Sequence, residues 1–243
     1  MGLGYNLHRE FSGWKTWQVL WMVFSAVTIL AISLYQGESL IGILAAVSGV
    51  ICVILCGMGR VSSYVFGTVN TLLYAYIAYK ARYYGDVMLN LLYYFPTNLL
   101  GWYLWSRNLN DATNAVIMKR MTLKQVFWLF LFCVVSVTAY GFFLQLIGGN
   151  LPFADSMTTV LSVIAQILMI KRFAEQWLIW IAVDIVSVIM WVIALSGEGA
   201  SIAVLLMWIV FLVNAVIMFV NWLKNSSREG KPVKEPEKPA ASV

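Results

Sequence analysis

The sequence contains eight apolar runs, each close to the roughly 20 residues that an α-helix needs to cross a lipid bilayer. The runs lie at residues 17–34, 39–57, 62–79, 87–105, 123–147, 154–170, 174–195 and 200–223. Hydrophobic residues make up 61% of the chain and charged residues 11%, whereas soluble domains carry about 25% charged residues. We therefore predict an all-α integral membrane protein with eight transmembrane helices. Short connections between the runs leave no room for a soluble catalytic domain.

The basic residues are divided unequally between the two sides of this predicted membrane domain. With eight spans, both termini and the 2–3, 4–5 and 6–7 loops share one side, which holds 14 of the 16 Lys and Arg residues. Only Lys80 and Arg82 fall on the other side. By the positive-inside rule we expect both termini in the cytoplasm and the protein in the inner (cytoplasmic) membrane. The net charge of +5 is then a topology signal, which fits membrane lipid as a partner and does not indicate nucleic acid.

The apolar runs also contain a weak internal repeat. Phe66-Gly-Thr-Val-Asn70 and Trp180-Ile-Ala-Val-Asp184 each place an aromatic residue one turn before a polar acceptor, and each follows a charged corner. We infer an accessory N-terminal helix and a 3+1+3 core of parallel repeats, which in transporters places the substrate between the repeats. The predicted segments are 1–38 (N-terminal segment with the accessory helix), 39–105 (first three-helix repeat), 106–150 (linker and connecting helix), 151–224 (second three-helix repeat) and 225–243 (disordered cytoplasmic tail).

Asp184 is the one acidic residue that lies more than a turn inside an apolar run. A carboxylate at this depth costs several kcal/mol on most estimates, so it is rarely left without a partner, a cavity or a ligand. Trp180 and Trp177 precede it by one and two helical turns and share its face of the helix. A carboxylate framed by indole rings predicts a site for a flat, cationic molecule.

The other candidates are aromatic and amide side chains on the faces of neighbouring predicted helices. Converged on one cavity, they would supply flat faces for a planar ring and polar groups for hydroxyls. The whole candidate substrate site consists of Phe66, Asn70, Tyr74, Tyr94, Asn98, Trp102, Gln166, Trp177, Trp180, Asp184 and Asn214. A structural role is the alternative for each one alone. The amides would then bond neighbouring helices, and Trp102 and Trp105 would belong to an aromatic belt at the lipid headgroups.

An intramembrane enzyme is disfavoured by the residues that the apolar runs contain. Proteolysis inside a membrane needs two aspartates, a Ser/His pair or a His-Glu-x-x-His metal site. The chain has one deep aspartate, and its single histidine, His8, lies outside the runs. The three cysteines lack the spacing of a disulfide framework or a metal site. We expect no catalytic residues, no metal site and no cofactor, which leaves a transporter or a membrane scaffold.

Two stretches of the sequence resemble the recurrent motifs of the PnuC-type nicotinamide riboside transporters. One is Glu175-Gln-Trp177-Leu-Ile-Trp180-Ile-Ala-Val-Asp184, with its Trp-x-x-Trp followed by Val-Asp. The other is Pro96-Thr-Asn98-Leu-Leu-Gly101-Trp102-Tyr103-Leu-Trp105, with its Gly-Trp-Tyr-x-Trp. The similarity extends over residues 39–223. It implies that Trp177, Trp180, Asp184 and residues 101–105 take the roles of the matching family residues.

The resemblance further implies a three-plus-one-plus-three arrangement related to the SWEET sugar transporters, and assembly as a homotrimer. It implies uncoupled, facilitated diffusion of nicotinamide riboside and trapping through phosphorylation by a cytoplasmic riboside kinase. Nicotinamide riboside is a pyridinium cation with a carboxamide and a ribose, which agrees with the site expected from the residues. Relatives of the family carry thiamine or riboflavin, so these vitamins are alternative substrates. The additional N-terminal span departs from the seven-helix family core.

Overall fold

The computed structural model describes residue 10 and residues 14–37, 39–80, 87–110, 113–148, 152–194 and 202–228. Within these ranges eight helices occupy the eight apolar runs. They are α1 (Thr16–Tyr35), α2 (Leu40–Gly57), α3 (Ser63–Lys80), α4 (a π-helical segment, Leu89–Tyr94, continued by an α-helix, Phe95–Ser106), α5 (Leu123–Leu146), α6 (Pro152–Ile170), α7 (Gln176–Ala194) and α8 (Ile202–Asn225). The prediction of an all-helical chain is confirmed.

Five helices of the described part are long and apolar enough to cross a membrane by length and composition. These are α1, α2, α5, α6 and the part of α8 from Met207 to Asn225, while α7 has a shorter apolar stretch, Gln176–Ile189. Helix α3 is less apolar because it carries tyrosines and Asn70, and the α-helical part of α4 is only 12 residues long. A multi-pass membrane protein follows from these helices, and the count of eight spans stays a prediction.

Polar caps define where two of the helices begin. The Ser39 hydroxyl accepts a hydrogen bond from the backbone N–H of Gly42 at the start of α2. Thr122 and Gln125 form a reciprocal capping box at the start of α5. Such caps satisfy N–H groups that the first turn of a helix leaves without partners, so the two helices begin close to where the apolar runs begin.

A π-helical segment begins α4, which the apolar pattern did not predict. Its cause is Pro96, which lies in the first turn of the α-helix that follows. Proline has no N–H to donate, and its ring would collide with the carbonyl four residues earlier in a regular helix. The helix widens here, and the N–H of Phe95 donates to the carbonyl of Asn90, five residues earlier. Such π segments occur frequently at functional sites.

Six of the helices pack into a closed ring. Around the ring α2 contacts α3, α3 contacts α4, α4 contacts α6, α6 contacts α7, α7 contacts α8 and α8 contacts α2. Helix α1 packs outside the ring against α2 and α8, and α5 packs outside it against α6. Phe127, Trp128 and Phe130 of α5 are exposed, as expected for a helix that faces lipid. The ring is the part of the fold that can enclose a small molecule.

The corners that follow α2 and α6 share one pattern of backbone hydrogen bonds. After α2, the N–H groups of Met58, Gly59 and Arg60 donate to the carbonyls of Ile54, Cys56 and Leu55. After α6, those of Lys171, Arg172 and Phe173 donate to the carbonyls of Ile167, Met169 and Leu168. Gly59 and Arg172 have φ values of 71° and 70°, a left-handed conformation that favours glycine. The two corners are therefore structural counterparts.

The match between the corners extends into the helices that follow. The N–H of Tyr64 donates to the carbonyl of Val61, and the N–H of Trp177 donates to that of Ala174. Tyr64 in the first turn of α3 thus corresponds to Trp177 in the first turn of α7. Continued along the helices, this register pairs Asp184 with Thr71, one residue beyond the Asn70 that the sequence repeat pairs with it.

The connection between α4 and α5 and the start of the C-terminal tail are ordered by backbone pairing. Lys119–Arg120 (β1) pairs in parallel with Ser227–Arg228 (β2). Lys119 also exchanges backbone hydrogen bonds with the α6–α7 corner, and the N–H of Val116 donates to the carbonyl of Gly59. Residues 225–228 of the predicted disordered tail therefore have defined structure, and residues 229–243 lie outside the described residues.

A cluster of buried side chains closes the ring at the end where α2 and α6 terminate. Every ring helix contributes to it: Cys56 from α2, Tyr64 from α3, Trp105 from α4, Met169 from α6, Trp177 from α7, and Ala215, Met218 and Trp222 from α8. Val116 and Met118 of the α4–α5 connection complete it. Trp105 and Trp222 have no exposed surface. This end of the ring is packed shut in the described conformation.

Candidate functional site

Asp184 lies in the middle of α7, where only 3% of its surface is exposed. No described residue donates a hydrogen bond to its carboxylate. Asn70, its counterpart in the sequence repeat, donates to the carbonyl of Ala45, at 2.8 Å. Thr71, which the register of the two corners pairs with Asp184, accepts a hydrogen bond from the amide of Asn98 on the next helix at 3.3 Å. Since a buried carboxylate needs a partner, Asp184 has the environment of a group that receives a ligand.

The two tryptophans that precede Asp184 have different surroundings. Trp177 is buried in the aromatic cluster, where its ring meets that of Trp222 edge to face at 6.1 Å between centroids. Its indole N–H has no hydrogen-bond partner among the described residues. Trp180 is partly buried and packs between this cluster and a second core formed by α6 and α7. Trp180, the nearer to Asp184, is the better placed of the two to stack on a ligand.

A chain of hydrogen-bonded polar side chains links α3, α4 and α6, which are consecutive neighbours in the ring. The Gln166 amide donates to the Asn98 carbonyl oxygen at 3.2 Å, and the Asn98 amide donates to the Thr71 hydroxyl. All three side chains are buried. Gln166 and Asn98, which the sequence assigned to one site, are thus brought together, and Thr71 joins them. Such a network supplies both donors and acceptors for the hydroxyls of a ligand.

Phe66 and Asn70 of α3 face α2 rather than α7. Asn70 packs over Gly49, where an added Cβ would lie 2.9 Å from the Asn70 amide nitrogen. Phe66 packs against the core that α1 and α2 share with α8. In this conformation both residues hold helices together, the structural alternative that the sequence left open for each.

Asn214 of α8 is completely buried, and the oxygen and the nitrogen of its side-chain amide both have protein partners. Its carbonyl oxygen accepts from the indole of Trp21 on α1 at 3.3 Å, and its amide donates to the carbonyl of Val53 on α2 at 3.2 Å. It therefore ties the accessory helix to the ring. Nothing in this geometry brings Asn214 to Asp184.

Three further candidates are aromatic residues near the outside of the ring. Tyr74 is 45% exposed and Trp102 is 38% exposed, which suits contacts with lipid better than a closed site. Tyr94 is partly buried, with its ring 5.4 Å from that of Tyr93. Trp105 lies in the aromatic cluster and not in a belt at the lipid headgroups, the alternative that sequence analysis gave for it. Its indole donates to the carbonyl of Met169 at 3.0 Å.

The residues that sequence analysis missed are Thr71, Tyr64 and Trp222. Trp222 lies near the end of α8, as Trp105 lies near the end of α4. Its indole donates to the carbonyl of Gly57 at 2.8 Å. A signal in the sequence could have identified this pair, since each tryptophan lies two residues before a basic residue, Arg107 or Lys224.

Two cavities of the described structure lie away from Asp184. A surface cavity of about 540 Å³ lies beside the α6–α7 corner, with Lys119, Lys171 and Arg172 in its lining. Another, of about 300 Å³, lies between α5 and α6. Neither of these two cavities has Asp184 in its lining.

Comparisons with known proteins show which family the chain resembles. Residues 39–224 match the model of a family described as nicotinamide mononucleotide transporter. The nicotinamide riboside transporter PnuC of Neisseria mucosa is 34% identical over 229 residues, which cover 92% of this chain and 87% of that protein. The transporter of the same name from Haemophilus influenzae is 33% identical, over 92% of this chain and 97% of that protein.

A solved structure is also similar over nearly the whole chain. The crystal structure of the vitamin B3 transporter PnuC matches with a TM-score of 0.78 and 34% identity, covering 89% of this chain and 95% of that one. The matches to the two transporters each cover 92% of the chain, which is more than residues 39–243 alone, so they include part of the N-terminal segment. That segment is therefore shared, at least in part, with relatives.

Proposed function

Because this chain belongs to the nicotinamide mononucleotide transporter family, we propose that it carries nicotinamide riboside across the inner membrane. The observation that supports this substrate is the buried carboxylate of Asp184, which no described residue bonds, one turn after Trp180. A pyridinium cation would supply the missing counter-charge, and the indole face would stack on its ring. The riboside fits better than the mononucleotide, because the helical stretch around Asp184 has no basic side chain to pair with a phosphate.

The polar network would recognise the sugar. Gln166, Asn98 and Thr71 lie on three ring helices and are buried. Ribose hydroxyls both donate and accept hydrogen bonds, so they can replace the bonds that these side chains make to one another. A site built from such groups rejects analogues without hydroxyls more strongly than apolar packing does.

The ring would consist of two parallel three-helix repeats, α2–α4 and α6–α8, joined by α5. The matched corners support this, as does the order of contacts: α4 meets α6 as α8 meets α2. Carriers with parallel repeats bind substrate near the midplane between the repeats. Eight spans would place both termini on one side of the membrane, and the distribution of Lys and Arg supports the cytoplasmic side. Assembly as a homotrimer is a further proposal, supported by resemblance to the family and tested by light scattering of the purified protein.

Transport would be facilitated diffusion. A proton-driven carrier needs groups that relay a proton, and Asp184 is the only acidic residue deep in the apolar runs. Phosphorylation by a cytoplasmic riboside kinase would trap the substrate and give uptake its direction. In proteoliposomes without a kinase, labelled nicotinamide riboside should equilibrate and never exceed its outside concentration, even with an inward pH gradient imposed at zero membrane potential. Accumulation above that level, lost in Asp184→Asn, would contradict uncoupled transport.

Equilibrium binding to the purified protein tests the substrate. Nicotinamide riboside should bind with one site per chain. A scaffold, in which the polar residues only hold helices together, would bind no vitamin. Thiamine is also a cationic heteroaromatic compound and is the alternative that Asp184 admits most readily, whereas riboflavin carries no positive charge.

A further inference from the structure

Four aromatic side chains fill the closed end of the ring and come in two matched pairs. Tyr64 and Trp105 meet edge to face at 5.1 Å within the first half, and Trp177 and Trp222 do so at 6.1 Å within the second. Between the halves, the rings of Trp105 and Trp222 are 6.0 Å apart. We call these four residues the aromatic gate.

Two equivalent hydrogen bonds join the two proposed halves of the ring, α2–α4 and α6–α8, at the closed end. The Trp105 indole of the first half donates to the carbonyl of Met169 in the second, at 3.0 Å. The Trp222 indole of the second half donates to the carbonyl of Gly57 in the first, at 2.8 Å. Both carbonyls belong to the last turn of a helix, where carbonyl groups have no N–H partner within the helix, and that of Met169 also accepts from the N–H of Arg172 in the corner. These two bonds can break without unwinding either helix.

The same layer contains buried polar groups without partners. The Ser63 and Tyr64 hydroxyls, both ends of the Gln176 amide and the Trp177 N–H have no hydrogen-bond partner among the described residues. They occupy matched positions at the starts of α3 and α7. Such groups are uncommon in folded proteins and call for an explanation. They would gain water as a partner if this end of the ring opened.

From these observations we infer that Tyr64, Trp105, Trp177 and Trp222 form the gate on the Arg60 and Arg172 side of the substrate site, and that the two indole–carbonyl bonds latch it. This inference rests on the proposed transport between the two halves. Asp184 lies about 10 Å from Trp177 along α7, given the rise per residue of an α-helix. Opening separates Trp105 from Trp222 and breaks both latch bonds, while each edge-to-face pair moves with its own half.

Removing the two indole–carbonyl bonds and removing the Tyr64 hydroxyl should change the frequency of gate opening in opposite directions. Replacing Trp105 and Trp222 together by phenylalanine removes two bonds that exist only in the closed form, so opening becomes more frequent. Tyr64→Phe removes a hydroxyl that gains a partner only in the open form, so opening becomes less frequent. A purely structural role for these residues would not give opposite signs.

Cys56 lies in the same cluster and is 3% exposed, so its thiol becomes accessible to a reagent only when the gate opens. In a background with Cys52→Ala and Cys133→Ala it is the remaining thiol, and its rate of reaction with a water-soluble maleimide is measured on purified protein. We expect roughly a tenfold or greater rise in the tryptophan pair, from two lost hydrogen bonds, and a severalfold fall in Tyr64→Phe. Trp128→Phe, on the exposed face of α5, is the matched control and should leave the rate unchanged.

Equal rates in all variants, or a change of the same sign in Tyr64→Phe and the tryptophan pair, would overturn the gate. If the tryptophan pair does not fold, Tyr64→Phe carries the test, since it removes no bond from the closed form. The labelling needs no substrate. A protein that fails to bind nicotinamide riboside would therefore refute the proposed function and leave the measurement on the gate standing.

Discussion

Replacing Asp184 by asparagine removes a charge and keeps the size of the side chain. Asp184 is 3% exposed and receives no hydrogen bond from a described residue, so its main contribution to binding a pyridinium is the attraction of opposite charges. At a separation of about 5 Å and an effective dielectric constant of about 20, that attraction is roughly 3 kcal/mol. The asparagine dipole recovers part of it. We therefore expect binding of nicotinamide riboside to weaken by about 2–3 kcal/mol, or roughly 30- to 150-fold.

Isothermal titration calorimetry on purified protein measures this change. Asp155→Asn is the matched control, because Asp155 is an exposed carboxylate in the first turn of α6, and it should leave affinity unchanged. The reduced riboside, whose dihydropyridine ring is neutral, provides a second control and should lose little affinity in Asp184→Asn. If both forms of the ligand lose the same affinity, or neither does, Asp184 is not the counter-charge of the substrate.

Three further outcomes follow from particular residues. Trp180→Ala should weaken binding of nicotinamide riboside by about 1–3 kcal/mol through lost stacking, while Trp128→Ala on the lipid face should not; equal affinities would return Trp180 to a packing role. Cysteines introduced by Ser226→Cys and Gly37→Cys should react with an impermeant maleimide from opposite sides of the membrane, and labelling from one side would refute the eight-span topology. Arg172→Gly should raise the stability of the detergent-solubilised protein by about 0.5 kcal/mol, because it relieves a left-handed residue at some cost in chain entropy; a lower Tm would show that the arginine side chain contributes more than its backbone strain costs.

The helices were predictable because hydropathy reports them directly. The apolar runs at 39–57 and 123–147 correspond to the helices Leu40–Gly57 and Leu123–Leu146, whose N-caps are Ser39 and Thr122. The π segment before Pro96 was not predictable from hydropathy, since a change from an α to a π hydrogen-bond pattern leaves the apolar content of the run unchanged.

Sequence spacing gives the face of one helix and not its neighbour, so the arrangement of the candidate residues was predictable only in part. That Trp180 and Asp184 share a face depends on α7 alone, and both lie within this helix. Asn214 and Asn70 have the same polar character in sequence as Asn98, yet they bond α1 and α2. Which amide faces the site depends on the order of helices around the ring, and that order is set by packing between distant segments.

The aromatic gate escaped sequence analysis for a related reason. Trp105 lies at the end of an apolar run, where tryptophan is common at lipid headgroups. Only the closed ring brings its indole to Met169 and its ring to Trp222. The matched corners, with Gly59 in one and Arg172 in the other, likewise became evident only from backbone hydrogen bonds, because their residues differ while their geometry agrees.

Competition at equilibrium tests the central claim most directly. Labelled nicotinamide riboside bound to the purified protein is displaced by unlabelled nicotinamide riboside, nicotinamide mononucleotide, thiamine or riboflavin. We expect the riboside to displace at the lowest concentration and the mononucleotide to be at least about tenfold weaker, since burying its phosphate without a basic partner costs more than 1.4 kcal/mol. Tighter binding of the mononucleotide, thiamine or riboflavin, or no binding of the riboside at all, would contradict a carrier that recognises a cationic riboside through Asp184.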